Sequence, residues 1–288
     1  MKIGETIRAK KSSLSFEFFP PKDKAGEDKL FENVKKLAKL NPTFVSVTCG
    51  AGGGSSRNTV PIVAKLKKET PLTVMPHLTC IAQSGEELKN ILADYKKHGV
   101  SNVLALRGDP PEGTGEFKAA KGGFSHAVEL VELAKSLNGF SVGVAVYPEK
   151  HCESPTVALD MYYTKMKADA GADFGITQMF FDNRYFYEFM DRAAQLRIEM
   201  PVLAGIMPIS NVTRIKGFCE KCGATMPNAI VKRFEKYGTS PAESKKVGIE
   251  VATEQCADLI KHGFRYFQFY SLNQADEVTE IVHNLGAF

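Results

Sequence analysis

SFEFFPP, residues 15–21, places one carboxyl group among three phenylalanines and then ends on two prolines. In an extended strand successive side chains point to opposite faces, so Phe16 and Phe18 share one face and Glu17 lies on the other. The apolar face is predicted to pack against helices. The two prolines cannot extend a strand ladder, so the chain must turn away directly after the strand. Glu17 is therefore predicted to lie at the carboxyl end of a strand, on its non-helix face.

Further short apolar segments follow along the chain, with longer amphipathic patterns between them. The eight predicted strands are 14–19, 44–48, 72–78, 102–107, 141–147, 174–180, 202–207 and 266–270. A helix is predicted over 85–98, with Ser84 as its N-cap and Glu87 completing a capping box. The other helical patterns cover 28–40, 124–137, 156–170 and 184–197, and 210–262 is long enough for several helices.

Alternating strands and helices indicate an α/β protein with a parallel sheet, either open and doubly wound or closed into a barrel. Eight strands in 288 residues favour a single (β/α)8 TIM barrel over 1–288, with a parallel eight-stranded core and extra C-terminal helices. A doubly wound dinucleotide fold would carry glycines at its first strand-to-helix turn, where this chain has two prolines. The glycine run 50–54 lacks a glycine at Ser55 and is interpreted as a flexible loop that could cover a cofactor.

The bulk composition excludes several classes of function. The net charge is +4, with the lysines spread along the chain, so no nucleic-acid partner is predicted. The N-terminus lacks the apolar core of a signal peptide, and no apolar run is long enough for a membrane span, so a cytoplasmic protein is expected. Cys219 and Cys222 lie in a segment that reads as helix and have no second pair to complete a zinc site. They are interpreted as reduced thiols, and no metal is predicted.

In a barrel of this kind, active-site residues come from the carboxyl ends of the strands. The polar residues at the predicted strand ends are Glu17, Thr48, His77, Arg107, Gly108, Asp109, Tyr147, His151, Gln178 and Tyr270.

Two carboxyl groups at these strand ends have alternative interpretations. Glu17 is either a general acid, with its pKa raised in a partly apolar pocket, or the partner of a loop lysine. Asp109 is either a turn residue or a second, ionised carboxylate beside Arg107. Asp160 and Lys167 share a face of one helical segment and are by default a solvated pair.

Eight motifs run in order along almost the whole chain: SFEFFPP (15–21), FVSVT (44–48), PHLTC (76–80), ALRGD (105–109), YPE (147–149) with His151 beyond it, DAGAD with ITQMFFD (169–182), GIMPISN (205–211) and FYSLN (269–273). Together they resemble the methylenetetrahydrofolate reductase family in its bacterial form. The resemblance implies an FAD-containing barrel that reduces 5,10-methylenetetrahydrofolate to 5-methyltetrahydrofolate with NADH or NADPH, in the line that feeds methionine synthesis. It also implies a homo-oligomer, a tetramer or dimer, and the chain is expected to lack the family's C-terminal regulatory domain.

The resemblance implies roles for individual residues. Glu17 would protonate N10 of the folate, and Asp109 would lie near flavin and pterin. Flavin-binding positions are Thr48, His77, Arg107, Gly108, Asp109, Tyr147, His151, Asp160 and Lys167. For Asp160 and Lys167 this role replaces the default interpretation as a solvated pair. Substrate-binding positions are Gln178, Arg214, Phe218, Tyr270 and Gln274. Phe218 would stack on the nicotinamide and the folate in turn, which implies ping-pong kinetics.

The departures from the family pattern include Gln274 and Arg214. Gln274 stands where the family often has an arginine for the glutamate tail of the folate, and Arg214 stands where a glutamine is common. The two changes look like an exchange that keeps one cation for the tail.

Three other interpretations remain open from the sequence alone. One is another flavin-dependent barrel, such as a proline dehydrogenase-like oxidoreductase. The second is a folate-binding or flavin-storage protein without catalytic activity, which would leave Glu17 and Asp109 without a purpose. The third is an aldolase-type barrel, which would require a Schiff-base lysine at a strand end, and none is found among the predicted strands.

Overall fold

A computed structural model describes residues 1–49, 59–109, 117–238 and 240–286. Its eight strands form one closed, all-parallel barrel in sequence order, with the last strand paired to the first. The strands are β1 (Ser13–Phe18), β2 (Phe44–Val47), β3 (Val74–Thr79), β4 (Asn102–Leu106), β5 (Ser141–Val146), β6 (Phe174–Thr177), β7 (Val202–Ile206) and β8 (Tyr266–Tyr270). The predicted (β/α)8 barrel is confirmed.

The described part of the chain contains eleven helices. They are α1 (Ile3–Ala9), α2 (Lys24–Ala38), α3 (Val60–Glu69), α4 (Gly85–Lys97), α5 (Ala127–Ser136), α6 (Val157–Asp169), α7 (Asn183–Gln195), α8 (Val212–Cys222), α9 (Asn228–Tyr237), α10 (Pro241–Lys261) and α11 (Ala275–Leu285). The capping box at Ser84 and Glu87 is present at the start of α4. The long connection before β8 holds α8, α9 and α10, as expected, whereas α1 and α3 were not predicted.

Strand β6 is shorter than the sequence indicated. It was predicted to continue to residue 180 but ends at Thr177. Its ladder with β5 ends at the pair Thr177 and Val146, and its ladder with β7 ends at the pair Ile176 and Leu203, so neither neighbour pairs with β6 beyond Thr177. The residues after Thr177 are thereby released to form a loop at the mouth of the barrel.

The first strand has the two faces that its sequence predicted. Phe16 and Phe18 are fully buried in the main core, together with Leu30 and Val34 of α2. Burying large aromatic and aliphatic side chains between strands and helices is the main stabilising term of such a fold. Glu17 lies on the opposite face and is only partly exposed.

Helix α1 closes the amino-terminal end of the barrel. Ile3 and Ile7 are fully buried against Phe44 and Phe174 in a separate cluster inside the barrel. The N–H groups of the first helical turn have no partner within the helix. The N–H group of Ile3 donates instead to Asn102 Oδ1 at 2.8 Å. The opposite, carboxyl-terminal end carries the cleft described below.

A further apolar cluster lies beside that cleft and fixes the position of α8. It packs Ile215 and Cys219 of α8 against Phe234 of α9 and Val247 of α10. Helix α10 approaches the chain after β7 so closely that a Cβ at Gly248 would lie 1.9 Å from the carbonyl oxygen of Ile209. None of the helices in the described ranges is long and apolar enough to cross a membrane.

Candidate active site

The carboxyl ends of the strands surround a cleft of about 690 Å³. This volume is in the usual range for a small-molecule or cofactor site. All of the predicted site residues line it except Arg214 and Gln274. Residues on or directly after each of the eight strands thus converge, as expected for the catalytic face of a TIM barrel.

Glu17 contributes the acidic group at the floor of the cleft. In the strand register it lies between Ser46 of β2 and Tyr270 of β8. Its side chain is 12 % exposed, and burial raises its pKa to about 8. Because burial disfavours the charged form, the group holds a proton at neutral pH and can act as a general acid. Glu17 has no lysine partner among the described residues, so that alternative is wrong; its close neighbour is the imidazole of His77, with Nε2 3.4 Å from Oε2.

His77 comes from β3, two strands away from β1 in the barrel, and its side chain is 9 % exposed. Burial lowers its pKa to about 3, so the imidazole is neutral at neutral pH. Its Nε2 atom is buried and makes no hydrogen bond with a residue that the structure describes.

Arg107 follows β4 and makes a two-point ion pair with Glu153, with Nη1 2.5 Å from Oε2 and Nη2 2.7 Å from Oε1. The sequence had indicated Asp109 as the carboxylate beside this guanidinium. Asp109 lines the cleft but is exposed, and its charge adds a minor contribution to the raised pKa of Arg107, whose largest cause is Glu153. The sequence interpretation missed Glu153, although its place two residues after His151 could have suggested it.

Between these two residues, Gly108 holds a left-handed conformation with φ +88°. A Cβ there would lie 2.7 Å from the side chain of Ile81. A glycine is therefore required where the chain turns from β4 past the cleft.

Asp160 and Lys167 lie on the inner face of α6 and are not the solvated pair of the default interpretation. Lys167 Nζ donates to the carbonyl oxygen of Ala145 at 2.6 Å, and burial lowers its pKa to about 8. Asp160 is 5 % exposed. Its Oδ1 accepts hydrogen bonds from the His151 amide at 3.2 Å and from Ser154 Oγ at 3.0 Å.

Three buried polar atoms at the cleft have no hydrogen-bond partner among the described residues. They are Thr48 Oγ1, His77 Nε2 and Asp160 Oδ2. A buried polar atom without a partner costs about 1–3 kcal/mol, so such groups in native proteins normally have a partner that a ligand or water can supply. Tyr147 also lines the cleft, in edge contact with His151 at a centroid distance of 4.8 Å.

The predicted substrate residues lie on the side of β6, β8 and α8. Gln178 Oε1 accepts a hydrogen bond from the Met179 amide at 2.8 Å, which fixes the side chain at the cleft. Tyr270 donates its hydroxyl to the carbonyl oxygen of Thr177. Phe218 of α8 lines the cleft, and the Arg214 guanidinium lies 5.4 Å from its ring centre.

Arg214 and Gln274 lie outside the cleft lining. Arg214 is exposed one turn from Phe218, at the outer edge of the site. Gln274 is exposed at the start of α11, where its amide donates to the carbonyl oxygen of Ser271. Arg214 thus lies beside a side chain that lines the cleft, Phe218.

Sequence reasoning missed several other lining residues. His126, the N-cap of α5, stacks on Tyr163 of α6 with centroids 6.2 Å apart, and both line the cleft. Lys221 and Cys222 enter the lining from the end of α8. Nothing local in the sequence marks these residues, since helix packing brings them to the rim.

The cysteine interpretation agrees with the structure. Cys219 and Cys222 are free thiols on α8, as predicted. Within the segments that the structure describes, no group of three or more His, Cys, Asp or Glu side chains is arranged to hold a metal ion.

Comparison with known proteins decides what this geometry belongs to. Residues 2–286 match the family model described as methylenetetrahydrofolate reductase. This chain is a member of the methylenetetrahydrofolate reductase family. The sequence is 37 % identical over 274 residues to the 5,10-methylenetetrahydrofolate reductase of Pectobacterium carotovorum subsp. carotovorum, covering 95 % of this chain and 90 % of the relative. It is 36 % identical to the 5,10-methylenetetrahydrofolate reductase of Escherichia coli (strain K12), with the same coverage.

A plant relative is longer. Methylenetetrahydrofolate reductase (NADH) 1 of Arabidopsis thaliana is 36 % identical over 299 aligned positions, which cover 99 % of this chain and 50 % of that protein. Among solved structures, an uncharacterized protein from Clostridium thermocellum that binds two copies of 5-methyl-5,6,7,8-tetrahydrofolic acid superposes with a TM-score of 0.66. It is 12 % identical and covers 98 % of this chain, with 97 % of its own length matched, so it shows the fold alone. Family membership supports methylenetetrahydrofolate reductase activity, an oxidoreductase reaction of folate one-carbon metabolism.

Proposed function

We propose that this chain reduces 5,10-methylenetetrahydrofolate to 5-methyltetrahydrofolate through bound FAD, with NADH or NADPH as electron donor. The observation that carries the proposal is Glu17, a buried acid with a pKa of about 8 on the floor of a cleft wide enough for cofactor and substrate. A reaction that begins by protonating a folate nitrogen needs such a group at neutral pH.

The residues around the cleft fit a flavin dinucleotide. Thr48 and Asp160 each offer a buried polar atom that has no partner among the described residues, and these atoms would hydrogen-bond the cofactor, while His77 lines the same cleft. Arg107 and Lys167 place cationic groups at the same wall, where anionic phosphates would be favoured. When bound, FAD supplies the hydride that reduces the folate carbon.

Glu17 would act first, by passing its proton to N10 of the folate. Opening the five-membered ring produces a cationic iminium carbon, which accepts hydride far better than the closed ring. Asp109, which also lines the cleft, supports the same step, because a carboxylate near the pterin favours a cation. The neutral state of Glu17 and the exposed carboxylate of Asp109 divide the acid and electrostatic roles between two environments.

Substrate binding would use the other side of the site. Gln178 offers its amide to the pterin edge, Phe218 stacks on the folate or the nicotinamide, and Tyr270 borders the same space. A single stacking position for both ligands means that one leaves before the other binds, which is ping-pong kinetics. Arg214, beside Phe218, is the cation proposed for the glutamate tail, in place of Gln274.

The test is an anaerobic absorbance experiment on purified protein. NADH or NADPH should bleach the flavin band, and methylenetetrahydrofolate should then restore it. A colourless protein that binds no added FAD would contradict the cofactor proposal. A band that the nicotinamide bleaches and the folate does not restore would contradict the substrate.

The matched control is Glu17→Gln, which keeps size and shape and removes the acidic proton. Bleaching by NADH should be unchanged, whereas reoxidation by folate should slow by about 10²- to 10⁴-fold, the usual contribution of a general acid. Equal reoxidation rates in the two proteins would remove Glu17 from the role of acid.

The resemblance also supports a homo-oligomer, a dimer or tetramer, and a place in the supply of methyl groups for methionine synthesis. Light scattering coupled to gel filtration measures the oligomeric state. A monomeric mass at micromolar concentration would contradict it.

A further inference from the structure

The carboxyl group of Glu17 and the imidazole of His77 face each other across the floor of the cleft. Nε2 lies 3.4 Å from Oε2, and the two side chains are 9 % and 12 % exposed. The described residues provide no other hydrogen-bond partner for Nε2. Nε2 therefore lies close to the Glu17 carboxyl group without a completed hydrogen bond.

The distance is slightly longer than an ordinary N–H···O hydrogen bond of about 2.7–3.2 Å. A movement of a few tenths of an ångström would close it. Catalytic hydrogen bonds are often long in ligand-free structures and tighten when substrate binds. Closing this contact also removes the cost of a buried polar atom without a partner.

The protonation states determine what kind of contact forms. Burial lowers the pKa of His77 to about 3 and raises that of Glu17 to about 8, so both groups are neutral at pH 7. A neutral imidazole protonated on Nε2 can donate to the carbonyl oxygen of a protonated carboxyl group. The hydroxyl of the carboxyl group is then left free for the substrate.

We propose that His77 is the positioning residue for the acid: its Nε2–H donates to Glu17 Oε2 and holds the Oε1–H toward the folate. The inference rests on the proposed function, in which Glu17 protonates N10. In that step the Oε1–H bond breaks, an N–H bond forms on the folate, and Glu17 is left as a carboxylate. The donated hydrogen bond stabilises this carboxylate and so strengthens the acid.

The predicted flavin contact of His77 is compatible with this role. The imidazole has a second nitrogen, Nδ1, and the ring lines the cleft that would hold the cofactor. In the tautomer with its proton on Nε2, Nδ1 is an acceptor and is available to the cofactor.

Other titratable groups lie near Glu17 and His77, so a change of activity with pH must be assigned to one particular group. Tyr270 on β8 and Tyr147 after β5 have pKa values raised by burial and stay neutral up to high pH. Cys222 of α8 also has a raised pKa, again mainly through burial. Cys49, after β2, also lines the cleft.

Further charged or titratable residues line the cleft: Arg107 and Asp109 follow β4, while Asp160 and Lys167 lie on α6. Lys167 has a pKa of about 8, the same as Glu17, so activity against pH alone would mix the two groups. A spectroscopic signal of the carboxyl group itself separates them.

The first experiment uses the flavin-free full chain. Nuclear magnetic resonance of isotope-labelled histidine reports the tautomer, with the His77 signal assigned through His77→Gln. A neutral ring protonated on Nε2 supports the proposal. A ring protonated on both nitrogens at pH 7, or on Nδ1 alone, overturns it.

The second experiment measures the protonation midpoint of Glu17 by infrared spectroscopy of labelled glutamate, with Glu17→Gln to identify its band. His77→Leu removes the donor and should raise the midpoint by about one pH unit, the effect of losing one hydrogen bond to a carboxylate. His77→Gln keeps an N–H donor and should return the midpoint toward the native value. An unchanged midpoint in His77→Leu would overturn the proposal.

The third measurement is the rate at which folate reoxidises the reduced, flavin-saturated protein. His77→Leu should slow this half-reaction about tenfold or more, and His77→Gln should recover much of the loss. His98→Gln, at the exposed end of α4, is the matched control and should leave the rate unchanged. Equal losses in the Leu and Gln variants would overturn the positioning role.

The spectroscopic readings need no turnover, so the two proposals can fail separately. A protein with the Nε2–H contact and no folate reduction would contradict the proposed function. A protein that reduces folate and lacks the contact would contradict the inference on His77.

Discussion

Arg107 and Glu153 form a two-point ion pair at the wall of the cleft, between the end of β4 and the loop after β5, with N···O distances of 2.5 and 2.7 Å. Glu153 also anchors its loop, because its amide donates to His151 Nδ1 at 3.1 Å. The carboxylate thus occupies the two-point face of a guanidinium that is predicted to serve the cofactor. Cofactor binding must therefore compete with Glu153 for Arg107.

Glu153→Gln tests this competition. The substitution removes a negative charge beside an anionic dinucleotide and weakens the hold on Arg107, so the Kd for FAD should fall. Because Glu153 is half exposed, the effect should be modest, about threefold. Fluorescence titration of the flavin-free protein with FAD measures it. Glu86→Gln, on α4 away from the cleft, is the control, and a higher Kd in Glu153→Gln would show that Glu153 holds Arg107 in its binding position.

Lys167 predicts a pH dependence of cofactor binding. Its pKa is lowered to about 8 by burial, so the group is charged below that pH and neutral above it. FAD affinity should therefore decrease as the pH rises through about 8. Lys167→Met should weaken binding about tenfold or more at pH 7, since a hydrogen bond to a charged group contributes about 1.5–3 kcal/mol.

The control for this variant is Lys165→Met on the same helix, where Lys165 pairs with Asp169 one turn away. Its FAD affinity should remain that of the native protein at each pH. A dependence on pH above 8 that persists unchanged in Lys167→Met would assign the titration to another group.

Glu17 predicts that the protein loses stability as the pH rises. Its pKa is about 8 in the folded chain and 4.5 in the unfolded chain, so between these values the folded state holds a proton that the unfolded state has released. The free energy of unfolding therefore falls between about pH 4.5 and pH 8, and the full cost of the buried charge is present above pH 8.

Glu17→Gln removes this contribution. The stability difference between variant and native protein should grow in favour of the variant from pH 5 to pH 9, by at most about 5 kcal/mol. Urea unfolding at both pH values measures the difference, and groups shared by the two proteins cancel. A constant difference would mean that the pKa of Glu17 is not raised by folding.

Arg214 and Gln274 predict where the folate tail binds. Arg214→Ala should raise the KM for a polyglutamylated folate several-fold, whereas Gln274→Ala should change it little, because Arg214 is a cation beside the lining side chain of Phe218 and Gln274 carries no charge. Steady-state kinetics with mono- and polyglutamate substrates compares the two variants. An unchanged KM in Arg214→Ala would remove the idea of an exchanged charge.

Two glycines give a matched test of the packing that holds α8 and α10 beside the site. Gly248→Ala would place a Cβ 1.9 Å from the carbonyl oxygen of Ile209, so it should destabilise the protein by about 3 kcal/mol or more. Gly217→Ala, inside α8, meets nothing within 4 Å and should stabilise by about 0.5–1 kcal/mol. Urea unfolding curves decide, and equal effects of the two substitutions would contradict the close approach of α10.

The sequence by itself determined the barrel. Alternation in strands such as SFEFFPP, eight repeats of a strand and a helix, and prolines or polar groups at the strand ends are local patterns, and they predict both the fold and the face that carries the cleft. Of the site residues that these patterns and the family resemblance predicted, all but Arg214 and Gln274 line the cleft.

Only the tertiary structure decided which of these groups meet. Contacts between residues far apart in the chain place Glu17 opposite His77 and pair Arg107 with Glu153 instead of Asp109. Such contacts also hold α1 at the other end of the barrel. Burial, which moves the pKa of Glu17 and Lys167 toward 8, is likewise a property of the assembled cleft. Local sequence sets which side chains a strand presents, whereas closure of the barrel sets their distances and their exposure to water, and these determine the chemistry.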